Sequence, residues 1–453
     1  MRMMLSEIAK SIQGELFGDD IAIEAVSLDT RTLKLGELYI AIEGKNFDGN
    51  QFIDAAVQMG AAAAILRKGM IATIPYITVD DTHLALAELA GAWRRRVSAS
   101  VVGVTGSNGK TTVKEMTAAL LGVKGLVLFT QGNLNNDIGV PLTLLRLQEQ
   151  HRFAVIEMGA NHPCEIEYTS TYVQADVVIL NNAGAAHIEG FGSLDGVAKA
   201  KGEIIETLKQ NGIAVLNRDD RYFDYWQGLA GSRKIISFGL NDNADVFARA
   251  IKTECVSGFV TAFELVTTKG AVTVQLKLAG RHNVLNALAA AAAGLALGLD
   301  LKMIKQGLES VNPVKGRLQP VVSRLGNLVI DDTYNANSAS LAVGLDVLAN
   351  CPGKPWLVLG AFGELGPQSA KMHEDMGHLI KDKGVVRLLA VGADAKNTVH
   401  GFGAGGQFFE TQADLLAVLQ QDLAGDETIL VKGSRAQRME NIVAVLVETA
   451  GIA

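Results

Sequence analysis

The stretch VVGVTGSNGKTTVKEM, residues 101–116, constrains this chain more than any other. An apolar run from Val101 to Thr105 ends in a turn containing Gly106 and Gly109, after which Val113, Met116 and Leu120 recur at helical spacing. A glycine-rich turn between a strand and a helix turns several backbone N–H groups toward a phosphate. The helix N-terminus adds partial positive charge, and Lys110 adds a full one. Thr111 then places a hydroxyl where a Mg²⁺ ion on that phosphate would need it. Gly106, Ser107, Asn108, Gly109, Lys110, Thr111 and Thr112 are therefore read as a nucleotide-phosphate loop, which requires a parallel sheet clothed by helices.

The rest of the chain agrees with that fold class. Val101–Thr105, Phe153–Glu157, Asp176–Leu180 and Ile213–Leu216 are apolar strand candidates with helical patterns between most of them. One exception, FVTAFELVTTKGAVTVQLKL, alternates with period two around Lys269-Gly270 and predicts a hairpin. After Asn312-Pro313 a second alternation begins, with strands LVIDD, WLVLG, RLLAV and TILVK. Ahead of Thr82 the chain mixes short strands (ELYIAI, AAAAIL) with short helices and a polar turn, EGKNFDGNQF. The expectation is an α/β protein of three domains: residues 1–81 small and α/β, 82–312 a central nucleotide-binding domain with a mostly parallel sheet, and 313–453 doubly wound and Rossmann-like.

Other residues carry chemistry by position. Glu157 ends a strand, which on a parallel sheet puts its carboxylate beside the phosphate loop, where a Mg²⁺ ligand belongs; a solvated strand-end glutamate is the alternative. GNLNNDIGVPLTLL is an Asn-rich turn entering an apolar helix, its amides suited either to a polar ligand or to holding the turn itself. Asn283 and Asn286, at i and i+3 in an Ala-rich helix, could read the edge of a base, with helix capping the plainer role for Asn283. NNAGAAHIEGFGSLDGVAKAKGEI supplies His187, Lys199 and Lys201 in a loop running into a helix. The two lysines are about 200° apart around that helix, so only one of them faces a given site.

TGSNGKTT resembles the phosphate loop of the Mur ligase family, the ATP-dependent amide-forming enzymes that build the peptidoglycan stem peptide, and of the related folylpolyglutamate synthases. The resemblance extends through SLDTRTLKLGELYIAIEG in the first domain, GRHNVLNA in the second and DDTYNAN in the third. It implies ATP and Mg²⁺ as cofactors, with Lys110, Glu157, His187 and Lys201 as the catalytic set. Thr111, Glu157, His187 and Lys201 would hold metal. Lys201 would be carbamylated by CO₂, with Lys199 as the alternative. Asn283 and Asn286 would approach the adenine, Arg317 the phosphates and Asp332 the ribose. The first domain would bind a UDP moiety through Ser27, Asp29, Thr30 and Arg31, and Asn135, Asn136, Asp137 and Asn335 would face substrate. NLNNDIGVP, GANHPCEI, AAHIEGFGS and VKGSRAQRME are similar to the members that attach D-alanyl-D-alanine to UDP-N-acetylmuramoyl-tripeptide, and the D-N-P-R string expected of the members adding an acidic diamino acid is absent. Ser434 and Arg435 would then hold the dipeptide, the arginine gripping its carboxylate bidentately. The activity implied is that of an ATP-dependent acid–D-amino-acid ligase working through an acyl phosphate.

Composition excludes several other classes. A net charge of −7 gives no footprint for nucleic acid. The basic triplet Arg94-Arg95-Arg96 reads as a solvated helix end. The amphipathic pattern of MRMMLSEIAKSIQGEL, with Met4, Ile8 and Ile12 on one face, is a helix rather than a signal peptide. NALAAAAAGLALGL is too short to span a bilayer and reads as a buried helix, so no membrane insertion is expected. Three cysteines without a CxxC spacing fit a reducing compartment, the cytoplasm, and no zinc site. A monomer is expected.

Overall fold

The structure, a computed structural model, describes residues 1–447 apart from 45–46, 185–187, 256–257 and 364, with 188–189 described in the backbone alone. Among the described residues the strands build three main sheets. The central one has nine strands, in the order Val127–Phe129, Phe153–Glu157, Ser100–Thr105, Val177–Leu180, Ile213–Asn217, Lys234–Gly239, Val246–Cys255, Phe259–Thr267 and Gly270–Leu276. Its first seven strands are parallel and the last two form the expected antiparallel hairpin. Side chains alternate faces along each strand. Val101, Ala154 and Ile156 enter one core, while Val102, Val104, Phe153 and Val155 enter the other. The second core is closed by the Ala-rich helix Arg281–Ala296, buried from Ala287 to Gly294 as its composition requires.

A five-stranded sheet lies N-terminal to this one and a six-stranded sheet C-terminal to it. The helix Thr82–Arg96, capped by the Asp81 carboxylate accepting from the His83 and Leu84 N–H groups, joins the first two. Leu86, Leu89 and Trp93 share one apolar cluster with Ile40 and Ile65 of the N-terminal sheet and Val101 and Ile156 of the central one. The six-stranded sheet, in the order Gln319–Val322, Leu328–Asp332, Glu427–Lys432, Lys354–Gly360, Arg387–Val391 and Gly406–Phe409, is parallel except for its first strand and is covered on both faces.

Two expectations need correction. The N-terminal helix is only Leu5–Ser11; Met3–Met4 pair as a short strand with Ala22–Ile23, so Met4 is exposed while Ile8 and Ile12 are buried. Arg94 is not solvated: its guanidinium is buried and donates to the carbonyls of Val97 (3.0 Å) and Val173 (3.1 Å) and toward Asp176, locking the helix to the central sheet. The cysteines, unpaired in spacing, are not all apart in space. Cys255, at the end of a central strand, and Cys351, after the helix Ser338–Ala349, bring their sulfurs within 3.0 Å, and burial pushes both thiols up.

Candidate functional site

Parallel registry sets the site. Val104 pairs with Glu157 and Thr105 with Leu180, so three strand ends deliver the phosphate loop, Glu157 and Asn181 side by side at the C-terminal edge of the central sheet. Gly109 has φ +79°, and a Cβ there would lie 2.5 Å from Asn286 Oδ1 and 2.7 Å from Asn181 Nδ2, so only glycine fits. The helix that follows, Lys110–Gly122, buries Val113, Met116 and Leu120 as its spacing predicts.

Asparagines hold the loop from behind. The Asn108 N–H donates to Asn182 Oδ1 (2.8 Å), and the Asn108 carbonyl accepts from Asn181 Nδ2 (2.9 Å) and Asn182 Nδ2 (3.1 Å). Ser107 Oγ donates to the Gly184 carbonyl (3.1 Å) and accepts from the Gly184 N–H (2.9 Å). Asn286 accepts from Asn181 at 3.0 Å and donates to Asn283 at 3.2 Å, so the pair expected near a base is also tied to the loop's support. None of Asn181, Asn182 and Gly184 was singled out in the sequence; their signal was only their place after an apolar strand.

A cavity of about 550 Å³ opens in front of the loop, between the central and C-terminal sheets. It is lined by Ser107 to Thr112, by Asn135, Asn136 and Glu157, by Asn283 and Asn286, and from the third sheet by Arg317, Asp332 and Asn335. Two contacts cross it. Arg317 donates to Thr111 Oγ1 at 3.0 Å with its guanidinium over the Tyr334 ring, and Asn337 Nδ2 donates to Asn108 Oδ1 at 3.0 Å. Asp332 is held by the Lys432 ammonium, itself buried, and accepts from the Leu318 N–H. Burial drives His282, in the same wall, down to about 4, against the pull of Asp332 and Asp346.

Three ionisable groups stand out. Lys110 is curled onto the carbonyls of Gly106 (2.7 Å) and Ser107 (3.3 Å); burial lowers its pKa, with Glu157 opposing and Arg317 assisting. Glu157 is 2% exposed. Its Oε1 accepts from Asn135 Nδ2 at 2.9 Å, and among the described residues its Oε2 has no hydrogen-bond partner. Lys201 is buried on the apolar stripe of Leu194–Glu206 with Val197 and Ile204, whereas Lys199 is exposed. Burial first, and the nearby Lys110 charge second, bring Lys201 down to about 7, with Glu203 and Glu165 opposing; among the described residues its amine faces the Ala160 carbonyl at 3.5 Å and the Phe191 ring.

Several other expected residues are committed to protein partners. Asp137 is spent on His83 at 3.0 Å, and Asn136 Oδ1 accepts from the Gly139 N–H at the start of the helix Gly139–Leu145. Ser27 ends the edge strand Val26–Ser27 of the five-stranded sheet and Asp29, Thr30 and Arg31 follow it, with Asp29 paired to Arg31; none of them lines the cavity. Ser434 donates to the Ala361 carbonyl and Arg435 pairs with Glu440, both outside the cavity lining. His187 falls outside the described residues.

A buried carboxylate oxygen without a hydrogen-bond partner among the described residues, lining one cavity with a threonine hydroxyl and a phosphate loop, is a donor set for a hard divalent cation that also binds phosphate oxygens. Among the described residues no three His, Cys, Asp or Glu side chains gather. No described helix is long and apolar enough to cross a membrane.

Comparison with known proteins matches residues 22–94 to the Mur ligase family catalytic domain, 104–294 to the Mur ligase middle domain and 316–435 to the Mur ligase glutamate ligase domain. The UDP-N-acetylmuramoyl-tripeptide–D-alanyl-D-alanine ligase of Escherichia coli is 45% identical over 98% of both chains. A crystal structure of MurF from Acinetobacter baumannii superposes with a TM-score of 0.93 at 36% identity, covering 99% of each chain. MurF from Thermotoga maritima in complex with ADP gives a TM-score of 0.84 at 30% identity, over 93% of this chain and 97% of that one.

Proposed function

The chain belongs to the Mur ligase family, and from that premise we infer that it joins D-alanyl-D-alanine to UDP-N-acetylmuramoyl-tripeptide at the expense of ATP. Whole-length similarity to enzymes of that name carries the choice of substrate, and it disfavours a tripeptide-forming or folylpolyglutamate-forming relative. The cavity carries the chemistry, because it puts a phosphate loop, a carboxylate oxygen without a hydrogen-bond partner among the described residues, and the arginine that precedes the C-terminal sheet around one space.

We propose that the tripeptide's terminal carboxylate attacks the γ-phosphorus of ATP, forming a carboxyl–phosphate bond as the bond to ADP breaks. The amine of D-alanyl-D-alanine then attacks the acyl carbon, and inorganic phosphate leaves as the amide forms. Lys110 leaves its loop carbonyls for the β/γ-phosphates and offsets the repulsion between two anions. Arg317, already at Thr111, follows the phosphates. Mg²⁺, when bound, would neutralise part of the triphosphate charge, with Thr111 and Glu157 as its protein oxygens and His187 as the further ligand the family implies. Lys201 fits a carbamate: only a neutral amine adds CO₂, and a group near 7 is substantially neutral at cytoplasmic pH. The carbamate would also turn the Lys110–Lys201 repulsion into attraction.

Residues 1–81 serve the UDP moiety through Ser27 to Arg31, residues 82–312 hold ATP, and residues 313–453 close over it and hold the dipeptide at Ser434 and Arg435. The cytoplasm, where ATP and UDP-sugars are available, is the compartment proposed. The test is ADP release measured with each substrate withheld in turn. Release should require both UDP-N-acetylmuramoyl-tripeptide and D-alanyl-D-alanine for sustained turnover, and release that is independent of both would overturn the reading.

A further inference from the structure

One buried charge has no part in the chemistry above. Lys114 lies one turn beyond Lys110 on the helix Lys110–Gly122, on the same side, and is 1% exposed. Its ammonium donates to the Thr130 carbonyl at 2.8 Å, pairs with the part-exposed Glu115 at 2.8 Å and stands 5.5 Å over the Phe129 ring. Burying an ammonium is costly even when paired, and an unbranched apolar side chain of similar length would fill the space with less penalty.

What Lys114 grips explains its retention. Thr130 follows Val127–Phe129, a three-residue strand at the edge of the central sheet with one neighbouring strand to hold it. Thr130 is fully buried: its N–H donates to the Val155 carbonyl at 3.1 Å, and its Oγ1 accepts the Glu157 N–H at 2.9 Å. The turn that starts there returns at Asn135, whose amide holds Glu157 Oε1 while its carbonyl accepts from the Gly159 N–H at 2.8 Å. Glu157 is thus fixed at its backbone and at one carboxylate oxygen by a single segment, and Lys114 anchors the start of that segment to the phosphate-loop helix.

We propose that Lys114 is a positioning residue for the metal carboxylate: acting through Thr130, it keeps Glu157 Oε2 aimed at the phosphate loop. The inference rests on the reading of Glu157 as a metal ligand. Outer partners of this kind set ligand orientation and carry about tenfold or more in metal affinity.

The test uses full-length protein with Mn²⁺ as the probe, its binding in the presence of ADP followed by electron paramagnetic resonance, beside the Mg²⁺ concentration for half-maximal turnover. Lys114→Met, Thr130→Val and Glu157→Gln should each weaken Mn²⁺ about tenfold, with KM for D-alanyl-D-alanine unchanged. The Lys114→Met/Thr130→Val double variant should be no weaker than either single one, because both cut the same chain. Wild-type Mn²⁺ affinity in Lys114→Met, with Glu157→Gln weakened, would overturn the inference and leave the metal reading intact. Wild-type affinity in Glu157→Gln would overturn both. Losses that multiply in the double variant would make the two residues independent and also overturn it. If Lys114→Met does not fold, Thr130→Val decides alone, since unchanged Mn²⁺ binding there breaks the chain at its second link.

Discussion

The phosphate loop and the Ser27–Arg31 segment are both polar stretches assigned to phosphate-bearing ligands, and they are built in opposite ways. Around the loop, partners come from more than seventy residues away: Asn181, Asn182 and Gly184 hold Ser107 and Asn108, and Arg317 and Asn337 reach in from the third sheet. In the N-terminal segment Asp29 takes Arg31, two residues on, with 87% of the arginine side chain exposed, and Ser27 turns back to Asp29. Preorganised donors lose little freedom when a ligand arrives, whereas an exposed local pair must be broken and reordered. On the proposed assignment, chemistry is concentrated where support is long-range, and recognition of the substrate's far end would fall to side chains that can rearrange.

The largest expected effect tests the first half of this comparison. Lys110→Ala should lower turnover by about a thousandfold or more, while the melting temperature stays within a few degrees because glycines and asparagines set the loop. Near-normal turnover would remove the loop from the mechanism. Lys201→Ala should cost about a hundredfold and recover with a short-chain carboxylic acid, while the exposed Lys199→Ala stays within about twofold of wild type. If Lys199→Ala were the inactive, rescuable variant, exposure would have misled. The same lysine gives a pH signature. With Lys201 near 7, its amine is protonated below that value and cannot take CO₂, so turnover should fall as pH drops through about 7 and be partly restored by added bicarbonate.

Smaller effects test the exposed side. Arg435→Ala should raise KM for D-alanyl-D-alanine about tenfold and leave that for the nucleotide sugar unchanged, since a lost carboxylate contact is felt by one substrate. Equal effects on both would make Arg435 structural. Arg31→Ala should change KM for the nucleotide sugar only about two- to threefold, with no shift in melting temperature, because its ion pair is solvated. A loss as large as that of Lys110→Ala would erase the distinction between the two regions.

Legibility in the sequence follows the same division. The loop, Glu157 and the strands around them were readable because the motif is contiguous and strands buried on both faces read as unbroken apolar runs. The hairpin turned where Lys269-Gly270 placed it. The helix phase of Lys201 over Lys199 was only half readable, since two lysines in one amphipathic turn differ by what packs against them. Arg94 was misread because its partners, the Val173 carbonyl and Asp176, are some eighty residues distant. Asn181 and Asn182 share that property, and Lys114 and Thr130, with nearer partners, likewise look like ordinary polar residues until strand order brings those partners beside them. The short strands Gln319–Val322 and Gly406–Phe409 were missed because edge strands carry weak alternation.

The long-range support of the loop also has a consequence for how the chain acquires its activity. Ser107 and Asn108 cannot be held until Val177–Leu180 has docked beside Ser100–Thr105, a parallel pairing that must close a loop of some seventy residues. The anion cradle is therefore absent from any partly folded state lacking that strand, and nucleotide has nothing to bind before the central sheet is assembled. Because it binds the native state alone, ATP at about a hundred times its Kd would add roughly 2.7 kcal/mol to the stability of the finished fold. The cell's nucleotide pool would thus act on this chain first as a folding ligand and only afterwards as a reactant.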